Sequence, residues 1–248
     1  MSPHKPLSGW RVSRVALAVL LALACSHAAH ANAWTNGQVI TYTQSDWGAG
    51  GSAATLLSTN FISVYPSALV VVGERATGFT MAFDNAASIS SYLPTSGSAG
   101  VLDSNTFDTS STSSGTFGGD VLALQLNVDF SDAGVTLGSS GIAFGDLVLE
   151  NYAPVPSLNG LTVRQILADA NTDLGGGNSG YSLGELVDII PSLDIAFDGG
   201  IPTVLAQDDL VAPGTTPPTP TPEPSSMLLL GTGVLAVGAY YRRRVGAL

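Results

Sequence analysis

Apolar positions along this chain follow two periods, and the change between them falls near Pro156. In the first half the period is two. Phe79, Met81 and Phe83 alternate with Thr80 and Ala82, and Leu122, Leu124, Leu126, Val128 and Phe130 alternate with Ala123, Gln125, Asn127 and Asp129. Successive side chains of a strand point to opposite faces, so each run predicts a strand with one buried and one wetter face. Leu69 to Val72 form a continuous apolar run between Pro66 and Gly73, which predicts a strand buried on both sides. Glycine, serine and threonine cluster at residues 45–52 and 106–116 and have the composition of surface loops. Many short strands punctuated in this way predict a mainly β, β-sandwich-like body.

After Pro156 the spacing turns helical. Val163, Ile166, Leu167 and Ala170 predict a helix near residues 160–173, with Asn159 as its N-cap and Gly175, Gly176 and Gly177 as its stop. Ser182 and Glu185 stand in capping-box register, and Leu183, Leu186, Val187 and Ile190 extend a second helix near 182–196, ended or kinked by Pro191. The expected exported domain therefore covers residues 34–211, a β-rich body with a C-terminal pair of α-helices packed on it. Residues 212–224 are almost entirely proline and threonine, a composition that favours an extended stalk and builds no core.

Both ends carry a different kind of apolar run. Residues 1–33 place Lys5, Arg11 and Arg14 ahead of about ten apolar residues and then a small-residue site, the order of a secretory signal peptide. Small residues at the minus-three and minus-one positions fit cleavage after Ala31 or after Ala33. Residues 225–241 hold no charge and are just long enough for a single transmembrane helix. Tyr240 and Tyr241 sit where interfacial aromatics sit, and Arg242, Arg243 and Arg244 follow, which orients the C-terminus to the cytoplasm and the body outward.

Composition narrows the function classes. The single cysteine, Cys25, falls in the signal segment, so the mature body has no disulfide and rests on packing and hydrogen bonds. Between residues 34 and 215 there are 18 acidic residues against Arg75 and Arg164, a formal charge of −16. Such a surface repels phosphate backbones, which argues against nucleic acid as a partner and suits solubility or divalent cations. His4, His27 and His30 all lie in the signal segment, which removes histidine-based triads and zinc sites from the mature protein. Paired carboxylates remain able to act on a glycosidic bond, but no motif among the 18 selects a pair.

Asp169, Asn171 and Asp173 have the spacing that opens an EF-hand loop and are calcium candidates. Leu174 then stands where the turn glycine belongs and Gly180 where the bidentate glutamate belongs, so the simpler expectation is a solvated helix face. No cofactor is expected. Trp34, Tyr42 and Trp47 suit a sugar-stacking platform by residue type, although core positions are their commoner use.

Pro222, Glu223 and Pro224, the short span and the terminal arginines together resemble the PEP-CTERM sorting domain of Gram-negative bacteria, over residues 222–248. The resemblance implies that Pro222-Glu223-Pro224 is the recognition motif of exosortase, a membrane enzyme with a cysteine nucleophile that processes its substrates near this tripeptide. It also implies transient anchorage in the inner membrane, delivery to the cell surface or extracellular matrix, and a link to exopolysaccharide and biofilm. On this reading the chain is a non-enzymatic surface or matrix protein. The alternatives are a carbohydrate-binding or calcium-dependent adhesive module and, third, an exported hydrolase.

Overall fold

A computed structural model describes residues 34–76 and 78–214. The expected signal peptide, the stalk from residue 215 onward, Pro222-Glu223-Pro224, the 225–241 span and the terminal arginines lie outside the described residues. Within them, the expectation of a mainly β sandwich is overturned. The body is 42% helix and 9% strand, and its sheets have three strands and two strands. No helix among the described residues is long and apolar enough to cross a membrane.

The elements in chain order are α1 (Gln44–Trp47), α2 (Ala54–Val64), β1 (Val70–Gly73), β2 (Thr80–Phe83), α3 (Ala86–Tyr92), β3 (Thr106–Phe107), α4 (Gly115–Asp132), β4 (Val148–Leu149), α5 (Val163–Leu174), α6 (Leu183–Asp194), α7 (Val204–Asp209) and β5 (Leu210–Val211). Short 3₁₀ turns at Phe144–Asp146 and Pro156–Leu158 complete them.

The largest correction concerns α4, which contains the residues that alternate most cleanly. A helix that is buried on every side needs apolar residues all round, so its 3.6-residue period disappears from the sequence. Phe117, Val121, Leu122, Ala123, Leu124, Leu126, Val128 and Phe130 are all buried, on all sides of the cylinder. The polar residues between them do not face water as a strand's outer face would. Asn127 is fully buried, and Gln125 donates to Asp129 one turn on, at 2.9 Å to each carboxylate oxygen. Leucine, alanine and glutamine are also good helix formers, and an 18-residue run exceeds ordinary strand length.

Around this axis pack α1, α5, α6, β1 and the turn at Phe144–Asp146. The helical segments after Pro156 are α5 and α6. The N-cap of α5 is Thr162 rather than Asn159: Thr162 and Gln165 exchange capping-box hydrogen bonds, as Ser182 and Glu185 do at α6. Asn159 instead accepts from the Tyr152 amide at 2.8 Å. Helix α6 continues through Pro191 to Asp194.

In the larger sheet β1 pairs antiparallel with β2, and β2 parallel with β3. The 69–72 run is not buried on both faces. Val70 and Val72 point into the core while Val71 is 40% exposed, so the sheet covers α4 and α5 with one face only. In the smaller sheet β4 pairs antiparallel with β5. The same corner ties the start of the body to its end. Trp34 Nε1 donates to the Leu210 carbonyl at 2.8 Å, Gln207 Nε2 donates to the Trp34 carbonyl at 2.7 Å, and the Trp34 ring meets Phe197 edge-on at 5.4 Å.

Candidate functional site

The two polar stripes of α4 lie on opposite sides of the helix, since residues 125 and 127 are about 200° apart at 100° per residue. On one side Asp129 accepts from Gln125 and from the Tyr65 hydroxyl, the latter at 2.8 Å. Burial pushes the Asp129 carboxyl up, against the hydrogen bonds from Gln125 and Tyr65, and burial followed by the nearby Asp129 raises Tyr65 well above its ordinary value. This group joins α2 to α4 and is fully partnered.

The other stripe holds Asp120 and Asn127. Asn127 Oδ1 accepts from the Tyr42 amide at 2.8 Å and from Trp47 Nε1 at 3.2 Å. Its amide donates to the Tyr42 carbonyl at 2.8 Å and to Asp194 Oδ1, near the end of α6, at 3.1 Å. Thus one side chain joins α1, α4 and α6. Trp47 stacks edge-on against Phe130 at 4.9 Å, and with Trp34 it belongs to the core, whereas Tyr42 is half-buried beside it.

Next to Asn127 a cleft of about 140 Å³ opens between α1, α4 and α6, walled by Thr43, Gln44, Ser45, Asp120, Pro191 and Asp194 among others. Thr43 caps α1 in a capping box with Asp46, which fixes where Gln44 starts. Gln44 Nε2 donates to Asp120 Oδ1, and Gln44 Oε1 accepts from the amide and hydroxyl of Thr95 at 3.0 Å each. The approach depends on Gly119, where an added Cβ would collide with Gln44 Oε1 and Thr95 Oγ1. Asp194 is 2% exposed, and its Oδ2 has no hydrogen-bond partner.

Both carboxyls are perturbed upward. Burial pushes Asp120 to about 6 despite the hydrogen bond from Gln44. Burial, and then the negative charge of Asp120, hold Asp194 well above the carboxylate range, with the Asn127 amide opposing. Among the described residues no basic side chain compensates them. Arg164 chelates Asp132 at 2.7 and 2.9 Å and reaches Asp146 at 3.2 Å, while Arg75 lies in the turn after β1.

The calcium candidates read from the sequence are not brought together. All three lie on α5, where Asn171 points away from Asp169 and Asp173. Asn171 accepts from the Gly73 amide at 2.7 Å, and Asp173 accepts from the amide and hydroxyl of Ser179 at 2.8 and 3.0 Å, so both act as structural ties. Asp169 is half-buried one turn from Asp173, and burial, followed by the charge of Asp173, raises its carboxyl. Among the described residues no group of three or more acidic, histidine or cysteine side chains is gathered for a metal. Sequence reasoning missed the pairing of Asp120 with Asp194. The available signal was an aspartate set directly against an apolar run in each case, DVLALQL and IIPSLDIAF.

The body thus presents an acidic, cysteine-free helical domain that ends just before a proline-rich segment. Residues 220–244 match the family model of the PEP-CTERM protein-sorting motif, a range that includes Pro222-Glu223-Pro224 and Arg242 to Arg244. The chain thus carries a PEP-CTERM protein-sorting motif, which implies an exported protein sorted through exosortase and anchored transiently at its C-terminus. No curated protein and no solved structure matches the chain.

Proposed function

We propose that this chain is a non-enzymatic protein of the cell surface or extracellular matrix, held among exopolysaccharide after exosortase has removed its tail. The observation that carries the reading is the match at residues 220–244, whose tripeptide follows a proline-rich segment suited to presenting an extended cleavage site outside the inner membrane. The character of the body supports it. Its formal charge of −16 keeps it soluble outside the cell, and its tight core needs no disulfide. Residues 34–214 contain no histidine or cysteine, so the common nucleophile and base pairs have no place there.

The test compares the wild-type chain with Glu223→Ala in an exosortase-bearing host. Mass spectrometry of surface protein should find the wild-type tail missing and the variant retained in the inner membrane with its tail. Recovery of surface protein intact through Leu248 sinks the sorting step. In a strain unable to make exopolysaccharide, the processed protein should move from the surface fraction to the medium, and an unchanged surface fraction removes the matrix link.

A further inference from the structure

The three-stranded sheet leaves the β1 edge open. Thr80 and Ala82 of β2 turn their backbone groups toward β3: the Thr80 amide donates to Asn105 Oδ1 at 2.9 Å, and the Ala82 carbonyl accepts from the Asp108 amide at 2.9 Å. Residues opposite one another in an antiparallel pair alternate between exchanging two hydrogen bonds and exchanging none. Val71 opposite Ala82 and Gly73 opposite Thr80 are therefore the unbonded pairs, and both β1 residues aim their backbone groups away from β2. The Gly73 amide is met by Asn171 of α5 at 2.7 Å. Among the described residues nothing meets the amide or the carbonyl of Val71. The same alternation turns the backbone of Leu69 outward, opposite Asp84, whose own amide is taken by Asp108 Oδ1 at 3.2 Å. Leu69 and Val71 also hold their side chains 39% and 40% exposed.

Exposed edges are ordinarily guarded by a charge, above all lysine, or by proline within the strand. Residues 34–214 contain no lysine, and Pro66 stands before the edge rather than in it. Residues 47–73 carry no charged side chain, the longest such stretch in a body of formal charge −16, so two copies meet here with the least like-charge repulsion. We propose that β1 pairs edge to edge with β1 of a second copy of this chain, antiparallel about a two-fold axis at Val70. Because Gly73 is already engaged, the register that uses the free groups sets Leu69 against the partner's Val71, and Val71 against the partner's Leu69. Each of these two pairs exchanges two hydrogen bonds, and their apolar side chains meet on the outer face of the sheet. A two-fold contact is self-complementary, so one strand supplies both halves. The two sheets then continue as one of six strands, and the exposed row of Val71, Ala82 and Phe107 runs on into the partner as a longer apolar strip. Strands this short bury less than a standard interface, so the dimer dissociates readily and needs a high local concentration. The pairing does not depend on how the tail is processed.

The experiment uses the full chain in detergent, with Cys25→Ser throughout, and follows oligomeric state by analytical ultracentrifugation at concentrations up to about 1 mM. A monomer–dimer equilibrium is expected, and the dimer fraction should rise at least twofold between about 20 mM and about 300 mM sodium chloride as repulsion between the acidic bodies is screened. Val71→Lys puts a charge on the edge at a side chain that already reaches water, and should weaken association at least tenfold. Ile201→Lys, at an exposed apolar position outside the sheet, should leave it unchanged. To read the register, chains carrying Leu69→Cys and chains carrying Val71→Cys are mixed in equal amounts and oxidised with copper phenanthroline. In the paired dimer these positions face each other at about 5.5 Å between Cα atoms, within disulfide reach. The mixed disulfide should exceed each homodimer at least fivefold, where random pairing gives about twofold. A monomer at every concentration and salt overturns the proposal and leaves the edge for an extended segment of another protein. A dimer that survives Val71→Lys, or disulfides in random proportion, overturns it equally and assigns association to the tail or to another face.

Discussion

Replacing Asp120 by asparagine should make the protein more stable at neutral pH and leave it nearly unchanged at pH 4. The aspartate carboxyl rises from an ordinary value of 3.8 to about 6 on folding. An acid with a raised folded-state value binds more protons folded than unfolded between those limits, so its contribution falls as pH climbs from about 4 to about 6. Two units at 1.36 kcal/mol each set a ceiling of about 3 kcal/mol. Because the side chain is half-buried, solvent screening lowers this to about 1–2 kcal/mol. Asparagine keeps an oxygen for the Gln44 donor and cannot ionise, and it removes the negative neighbour of Asp194, which acts in the same direction. Urea unfolding followed by far-UV circular dichroism at pH 4, 5, 6 and 7, with EDTA present, measures the difference between variant and wild type. It should grow from near zero at pH 4 to about 1–2 kcal/mol in favour of the variant at pH 7. A variant destabilised equally at every pH, or one with the wild-type pH slope, would refute the reasoning.

Two further substitutions test the fold. Leu124→Ala empties a fully buried position on α4 and should lower stability by about 2–5 kcal/mol in the same urea assay, and a loss under about 1 kcal/mol would contradict the buried-axis description. Thr162→Ala removes the side chain that accepts the Gln165 amide and anchors the α5 capping box, and should lower stability by about 1 kcal/mol, with no measurable change counting against that cap.

The sequence showed some elements plainly and concealed others for a physical reason. Helices α5 and α6 are amphipathic and half-exposed, so their period survives in the apolar positions and their boundaries fall within a few residues of expectation. Helix α4 has no solvent face, and its polar residues answer to neighbours far along the chain: Asn127 to Tyr42, Trp47 and Asp194, and Asp129 to Tyr65. A pattern set by distant partners reads locally as alternation. Strands β1 and β2 lie within runs that looked like strands, but the burial of β1 on one face only depends on how the small sheet sits against α4 and α5. The cleft was hidden for the same reason as α4. Asp120 and Asp194 are separated by 73 intervening residues, and only the packing of α6 against α4 joins them.

The clasp between Trp34 and Leu210 has a consequence for export. Its two partners are 176 positions apart, so the first described residue of the body finds its final place only after nearly all of the body has been delivered. Whatever the order of delivery, this contact closes only when both ends of the body are free to meet, which ties the placing of Trp34 to that of Leu210. The fold closes like a purse whose drawstring is the end of the domain. That drawstring lies only nine residues before the sorting motif, so the segment that completes the fold and the segment that addresses the protein are near neighbours in the chain.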